Sequence, residues 1–134
     1  MTTGVVIDTN ILVAAGFKKK SASGRIVEAV AANRLVLVWN QATREESLYI
    51  VGKIPPLDEE HFAGLFRSEG RFDEPLDEVG FEVIADQSDR KFAALAAAAG
   101  VVLVSNDSDF LDVRESLAVE VMRPSEFIVR SSGD

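Results

Sequence analysis

The chain has no cysteine. A disulfide scaffold, a thiolate metal site and a cysteine nucleophile are therefore excluded. It has one histidine, His61, which excludes a zinc site built on several imidazoles. Any metal bound here must take mostly carboxylate ligands, a donor set that favours Mg²⁺ or Mn²⁺. No apolar run approaches the roughly 20 residues that cross a bilayer. The opening Met1-Thr2-Thr3-Gly4 lacks the basic start and apolar stretch of a secretion signal. Together these absences predict a cytoplasmic protein with no membrane partner. Neither a Gly-x-x-x-x-Gly-Lys loop nor a Gly-x-Gly-x-x-Gly turn occurs, which speaks against nucleotide binding by those routes. Basic residues are few, 14 against 22 acidic ones, and the net charge of −8 argues against a general nucleic-acid binder.

What is present describes a single folded unit. At 134 residues the length fits one domain, residues 1–134, and the hydrophobic share of 47% is normal for a folded chain. Val5-Val6-Ile7 is a β-branched run without alternation, which predicts a strand buried on both faces. Asn10 to Ala15 predicts a helix, Phe17 to Gly24 an exposed loop, and Arg25 to Asn33 a second helix with Ile26, Val27 and Val30 on one face. Leu35 to Trp39 reads as strand, and Gln41 to Lys53 as a helix stopped by Pro55-Pro56. Leu57 to Arg67 reads as a helix capped by Asp58, and Ser68 to Gly80 as a loop. Phe81 to Ala85 is expected to be a third strand, followed by an alanine-rich helix from Asp89 to Ala99 closed by Gly100. Val101 to Val104 and Val119 to Val121 complete the strands. A turn starts at Pro124, and Ser131 to Asp134 should fray. Strands alternating with helices imply an α/β fold, a three-layer α/β/α sandwich around a mainly parallel sheet.

In such sheets functional groups gather past the C-terminal strand ends. Asp8 follows the first strand, Asp107 and Asp109 follow the fourth, and Asp86 and Asp89 follow the expected third. Carboxylates brought within about 4–6 Å repel by several kcal/mol at a protein-like dielectric. Protons or a divalent cation must neutralise such a cluster. A divalent ion held there would activate a water for in-line attack on a phosphodiester and stabilise charge at phosphorus. Each aspartate taken singly is more simply a cap or turn residue; three strands all ending in aspartate are harder to explain that way.

The same residues carry a resemblance. Val6-Ile7-Asp8-Thr9-Asn10-Ile11-Leu12-Val13 resembles the opening motif of PIN domains, in which a strand ends in Asp-x-Asn. Asp89-Arg90-Lys91-Phe92-Ala93-Ala94-Leu95-Ala96 resembles the family's Asp at the start of an alanine-rich helix. Val104-Ser105-Asn106-Asp107-Ser108-Asp109-Phe110-Leu111 resembles its Thr/Ser-x-Asp-x-Asp-Leu motif, and Pro124-Ser125-Glu126-Phe127 its closing Pro-x-x-Phe turn. The match spans nearly the whole chain, in order. It implies a PIN-like fold and a Mg²⁺- or Mn²⁺-dependent ribonuclease site. Asp8, Asp89 and Asp107 would be the core metal carboxylates, with Asp109 an accessory acid and Asn10 and Ser105 polar supports that orient them. The family also has a Glu on the helix after the second strand. Glu45 and Glu46 are both available. Glu46 shares a stripe with Ala42 and Ile50 and is assigned to the site, whereas Glu45 pairs with Gln41 and Tyr49 and looks peripheral. Ser47 follows where the family usually has Leu. The resemblance is strongest to toxins of bacterial type II toxin–antitoxin pairs, which implies an antitoxin partner, a homodimer and an RNA substrate. The acidic balance suggests RNA chosen by shape or exposed single-stranded segments.

Other residues have plainer readings. Asp86 is most simply a turn or cap residue, His61 a surface side chain, and Trp39 core or rim packing. Lys18-Lys19-Lys20 is a solvated loop or a phosphate contact, and Arg25, Arg44 and Arg90 are further cationic candidates. A degenerate PIN domain that only binds RNA or protein is the alternative function. An α/β phosphotransferase is a third, although Asp8-Thr9-Asn10 lacks the second Asp expected of an aspartyl-phosphate nucleophile motif.

Overall fold

The computed structural model describes residues 3–132. The expected fraying of Gly133 and Asp134 concerns residues outside that span. Four strands, β1 (Thr3–Ile7), β2 (Leu35–Leu37), β3 (Val102–Val104) and β4 (Val121–Met122), form one sheet in the order β2-β1-β3-β4. Every pairing is parallel. Side chains alternate across the central strands and feed two cores. Val5, Ile7 and Val104 face one cluster, filled by Ile11, Leu12, Ile26, Val30 and Phe127. Val6 and Leu103 face the other, filled by Ile84, Phe92, Leu95 and Phe110. The sheet is thus covered on both sides, and the layers are helix, sheet and helix.

The helices follow from local chemistry. Asp8 caps α1 (Thr9–Phe17), its side chain accepting the Ile11 N–H at 3.1 Å. Ser21 caps α2 (Ala22–Ala31), and a Cβ at Gly24 would lie 2.2 Å from the Lys19 carbonyl oxygen, so the incoming lysine loop needs glycine there. Asn40 and Thr43 cap each other's backbone at the start of α3 (Gln41–Gly52). Asp58 caps the short α4 (Glu59–Ala63). The alanine-rich α5 (Arg90–Ala99) ends at Gly100 in the left-handed conformation, φ 70°. Asp107 caps α6 (Ser108–Leu111), and α7 (Pro124–Ser132) closes the described chain.

Several expectations need correction. Phe81 to Ala85 is not a strand; it is a 3₁₀ turn (Val79–Phe81) followed by bends. Phe81 and Ile84 are buried while Val83 is 48% exposed, so the anchors recur at three residues rather than two. Arg90 supplies the partners a sheet would have given, donating to the carbonyls of Ile84 at 3.0 Å and Glu82 at 3.2 Å. The second strand stops at Leu37, and Trp39 instead bridges to Arg71. The Leu57 to Arg67 helix shrinks to Glu59–Ala63, and α2 begins inside the expected loop because Ser21 caps it. α7 is a helix of 9 residues rather than a turn.

Candidate metal centre

The register of the sheet sets up the site. Ile7 lies beside Val104, so the next residues, Asp8 and Ser105, leave the sheet side by side. Asp8 is 3% exposed and Ser105 fully buried. The Ser105 hydroxyl donates to Asp8 Oδ2 and accepts the Asp107 N–H at 2.9 Å. Asp107 also accepts the Asp109 N–H at 2.9 Å, and Asn10 Nδ2 reaches its other oxygen at 3.5 Å. Two strand ends are thereby tied together through one serine. A second buried link, Thr9 Oγ1 to Ser47 Oγ at 2.9 Å, ties α1 to α3 beneath the site.

Asp89 comes in from the other side. It lies at the end of a 3₁₀ turn (Gln87–Asp89), where Asp86 accepts the Ser88 N–H and hydroxyl at 2.9 and 2.8 Å. Asp89 itself makes no side-chain cap bond. Burial pushes the Asp89 carboxyl up to about 7, and the neighbouring Asp86, Asp107, Asp8 and Asp109 push the same way. Burial also pushes Asp8 up to about 6, against the lowering effect of the Ser105 and Ile11 bonds, with Asp107 adding to the rise. Asp86 is held below its usual value by the bonds from Ser88. Five aspartates therefore share one field at the C-terminal edge of the sheet.

Within this group the tightest set is Asp86, Asp89 and Asp109, each offering an oxygen within 4.8 Å of the other two. Asp8 and Asp107 act on Asp89 from beside that trio, Asp8 buried and Asp107 half-buried. All the donors are hard carboxylate oxygens, which is the set Mg²⁺ or Mn²⁺ takes. The excess of like charge, which Lys91 and Arg90 offset only at Asp86, is what a divalent ion would relieve.

The sequence profile of the PIN domain matches residues 4–109. The chain belongs to the PIN domain family. Among solved structures, this PIN domain is similar to the VapBC2 complex of Rickettsia felis bound to a DNA fragment from its promoter, at 18% identity and a TM-score of 0.62, covering 90% of this chain and 98% of that one. It is also similar to PAE2754 of Pyrobaculum aerophilum, at 17% identity and a TM-score of 0.59, with full coverage of both chains. No curated protein sequence matches. The identities are low, so these structures speak to the fold.

The remaining residues fall into place around this PIN domain. Glu46 sits on α3 at the rim, half-buried, and its carboxylate is taken by Lys91 Nζ at 2.5 Å. The stripe used to choose it is not the buried one: Ala42 and Ile50 are exposed, and α3 buries Thr43, Ser47 and Val51 instead. Glu45 is exposed and held by Gln41 at 2.8 Å. Arg90 is committed to backbone carbonyls of the 82–84 segment. Trp39 is packed against Phe66, with its indole N–H on the Arg67 carbonyl at 2.7 Å. His61 is exposed beside Phe62, and Lys18 to Lys20 are exposed. Asp86 was counted among the converging carboxylates but read most simply as a turn residue, which it also is. One participant escaped sequence reasoning. Lys91 was visible as the second residue of α5, but its pairing with Glu46 across 45 residues leaves no local signal. Among the described residues, no helix is long and apolar enough to cross a membrane.

Proposed function

We propose that this PIN domain is a Mg²⁺- or Mn²⁺-dependent ribonuclease that hydrolyses phosphodiester bonds, and that it is the toxin half of a type II toxin–antitoxin pair. The observation that carries the reading is the convergence of five aspartates on one sheet edge, two of them with carboxyls pushed up to about 6 and 7. Groups with shifts of this kind cluster where a protein binds or reacts. Burying like charges costs stability, and a fold keeps that cost where a ligand offsets it.

Asp86, Asp89 and Asp109 would take the cation at the open side, with Asp8 and Asp107 beside them. A bound divalent ion supplies Lewis-acid charge at phosphorus and an activated water. The protein supplies fixed geometry. Ser105 and the Ile11 N–H hold both oxygens of Asp8, and Asn10 and the Asp109 N–H hold those of Asp107. Asp89 is left without such anchors, so it adjusts to what binds, and it retains a proton near neutrality until a cation displaces it. No side chain is asked to form a covalent intermediate.

The fold similarity to a VapBC complex supports an antitoxin partner, and the net charge of −8 suits a partner segment that is basic. A homodimer in the cytoplasm is the expected state of the free toxin. Cleavage of single-stranded RNA by purified protein, with Mg²⁺ and with chelator, tests the nuclease. Undiminished cleavage by an Asp8→Asn, Asp107→Asn double variant would reject the site. The second reading is a PIN domain that binds RNA or protein without cutting. The observation favouring it is the engagement of Glu46 by Lys91, which removes one carboxylate from the acid set. Calorimetric titration with Mn²⁺ separates the two, because the second reading predicts no saturable binding.

A further inference from the structure

We propose that Lys91 is a phosphate-binding residue of this site and that Glu46 is its positioning residue rather than a metal ligand. The proposal rests on the reading of the acidic pocket as a phosphodiester site. It starts from the Lys91–Glu46 pair, a contact of 2.5 Å that joins α5 to α3 across the sheet edge, with each side chain 21% exposed. A partly enclosed ion pair of this kind contributes little net stability, since desolvation offsets the attraction. Its placement is more informative than its energy.

Lys91 is the second residue of α5, two positions beyond Asp89, and it lines a shallow cleft of about 530 Å³ with Glu78, Asp86, Gln87 and Ser88. Its field reaches Asp86, which belongs to the tight carboxylate trio. The cleft therefore places an ammonium on the same wall as Asp86, the exposed member of the carboxylate trio. Of its three N–H donors, one goes to Glu46, and no other hydrogen bond is made to a described residue. Two donors remain for an incoming anion.

That anion faces an unusual problem. A phosphodiester approaching five aspartates meets repulsion from a chain that is already strongly acidic. A fixed cation at the rim offsets the repulsion on the side where the substrate enters. The start of a helix of 10 residues adds partial positive charge in the same place. Glu46 keeps the flexible lysine stem from folding onto Asp86 or Asp89, where the ammonium would occupy the cation's place. Arg90, one residue earlier, cannot serve, because its guanidinium is spent on the carbonyls of Glu82 and Ile84.

The test compares the wild type with Lys91→Met, Lys91→Arg and Glu46→Gln in the full chain. Two affinities are read: Mn²⁺ by calorimetry, and a fluorescent single-stranded RNA oligonucleotide by anisotropy at several salt concentrations. Thermal unfolding of each variant accompanies them, and Lys91→Gln stands in should Lys91→Met fail to fold. The expected result is RNA binding at least 5-fold weaker in Lys91→Met, a salt slope reduced by about one, recovery to within about 2-fold in Lys91→Arg, and Mn²⁺ affinity changed by less than about 3-fold in Glu46→Gln. In cleavage assays the Lys91→Met loss should fall mainly on KM. RNA binding unchanged in Lys91→Met would overturn the role of Lys91. A loss of Mn²⁺ affinity of 10-fold or more in Glu46→Gln would overturn the role of Glu46. Lys91-dependent RNA binding by a wild type that cuts nothing would reject the nuclease reading and leave this one standing.

Discussion

Two sets of acidic side chains in this molecule carry opposite shifts. Glu126, in the first turn of α7, accepts Arg114 at 2.8 Å and the Arg123 N–H at 2.8 Å, and the Arg114 bond holds its carboxyl down at about 2. No cation of the described residues pairs with Asp8 or Asp89; burial drives them up to about 6 and 7. Near neutrality Glu126 is a paired charge that ties the last helix to the 3₁₀ turn Arg114–Ser116. Asp8 and Asp89 instead sit in an excess of like charge. The difference teaches where the fold uses acid for its own structure and where it holds acid for something that comes from outside.

The strongest way to break this comparison is to remove the excess. Outer partners of metal ligands are worth about 10–100-fold in affinity or activity, so loss of ligands themselves should exceed that. The Asp89→Asn, Asp109→Asn variant, which removes two of the three carboxylates of the tight trio, should lose more than about 100-fold in Mn²⁺ affinity by calorimetry. Ser105→Ala should fall lower on the same scale, by about 10–100-fold, because Ser105 fixes Asp8 and the Asp107 backbone without binding the ion.

The comparison is sharpened by stability against pH. A raised carboxyl binds its proton more tightly folded than unfolded. Its penalty is absent below about 4, grows as pH rises toward about 6 for Asp8, and is complete above that. Asp8→Asn should therefore stabilise the metal-free protein at pH 7.5, on the order of 3 kcal/mol for a carboxyl raised from 3.8 to about 6, and should do little at pH 4. Differential scanning calorimetry of wild type and variant at both values reads this directly. Glu126 has the reverse sign: its contribution is present above about 4.5 and is lost as pH falls toward about 2. Glu126→Gln should lower Tm at pH 7 and leave it unchanged at pH 2, a smaller effect because the pair is solvent-facing.

Much of this was legible in the chain because it depends on short-range chemistry. Val5-Val6-Ile7 and Val101 to Val104 are runs without alternation, and each ends in the polar residues that form the site, so both strand and site could be placed together. The alanine-rich α5 and its Gly100 stop were equally plain. Phe81 to Ala85 misled because Phe and Val at alternate positions mimic a strand, while the real determinant is Arg90 reaching back to carbonyls of residues 82 and 84. Glu46 could be placed on its helix but not understood, since its partner Lys91 comes from a different helix. The preference for Asp86 in the tight trio was hidden by its ordinary role as a turn residue.

The central claim is that the sheet-edge aspartates are an acid excess kept for a divalent cation. Mn²⁺ titration of the wild type in two buffers of different ionisation enthalpy tests it most directly, because it counts protons released on binding. The account predicts saturable binding with close to one proton released or more at pH 6, falling toward none by pH 8.5, as Asp8 and Asp89 give up the protons they hold. Saturable binding without proton release at pH 6, or no saturable binding at all, would contradict it.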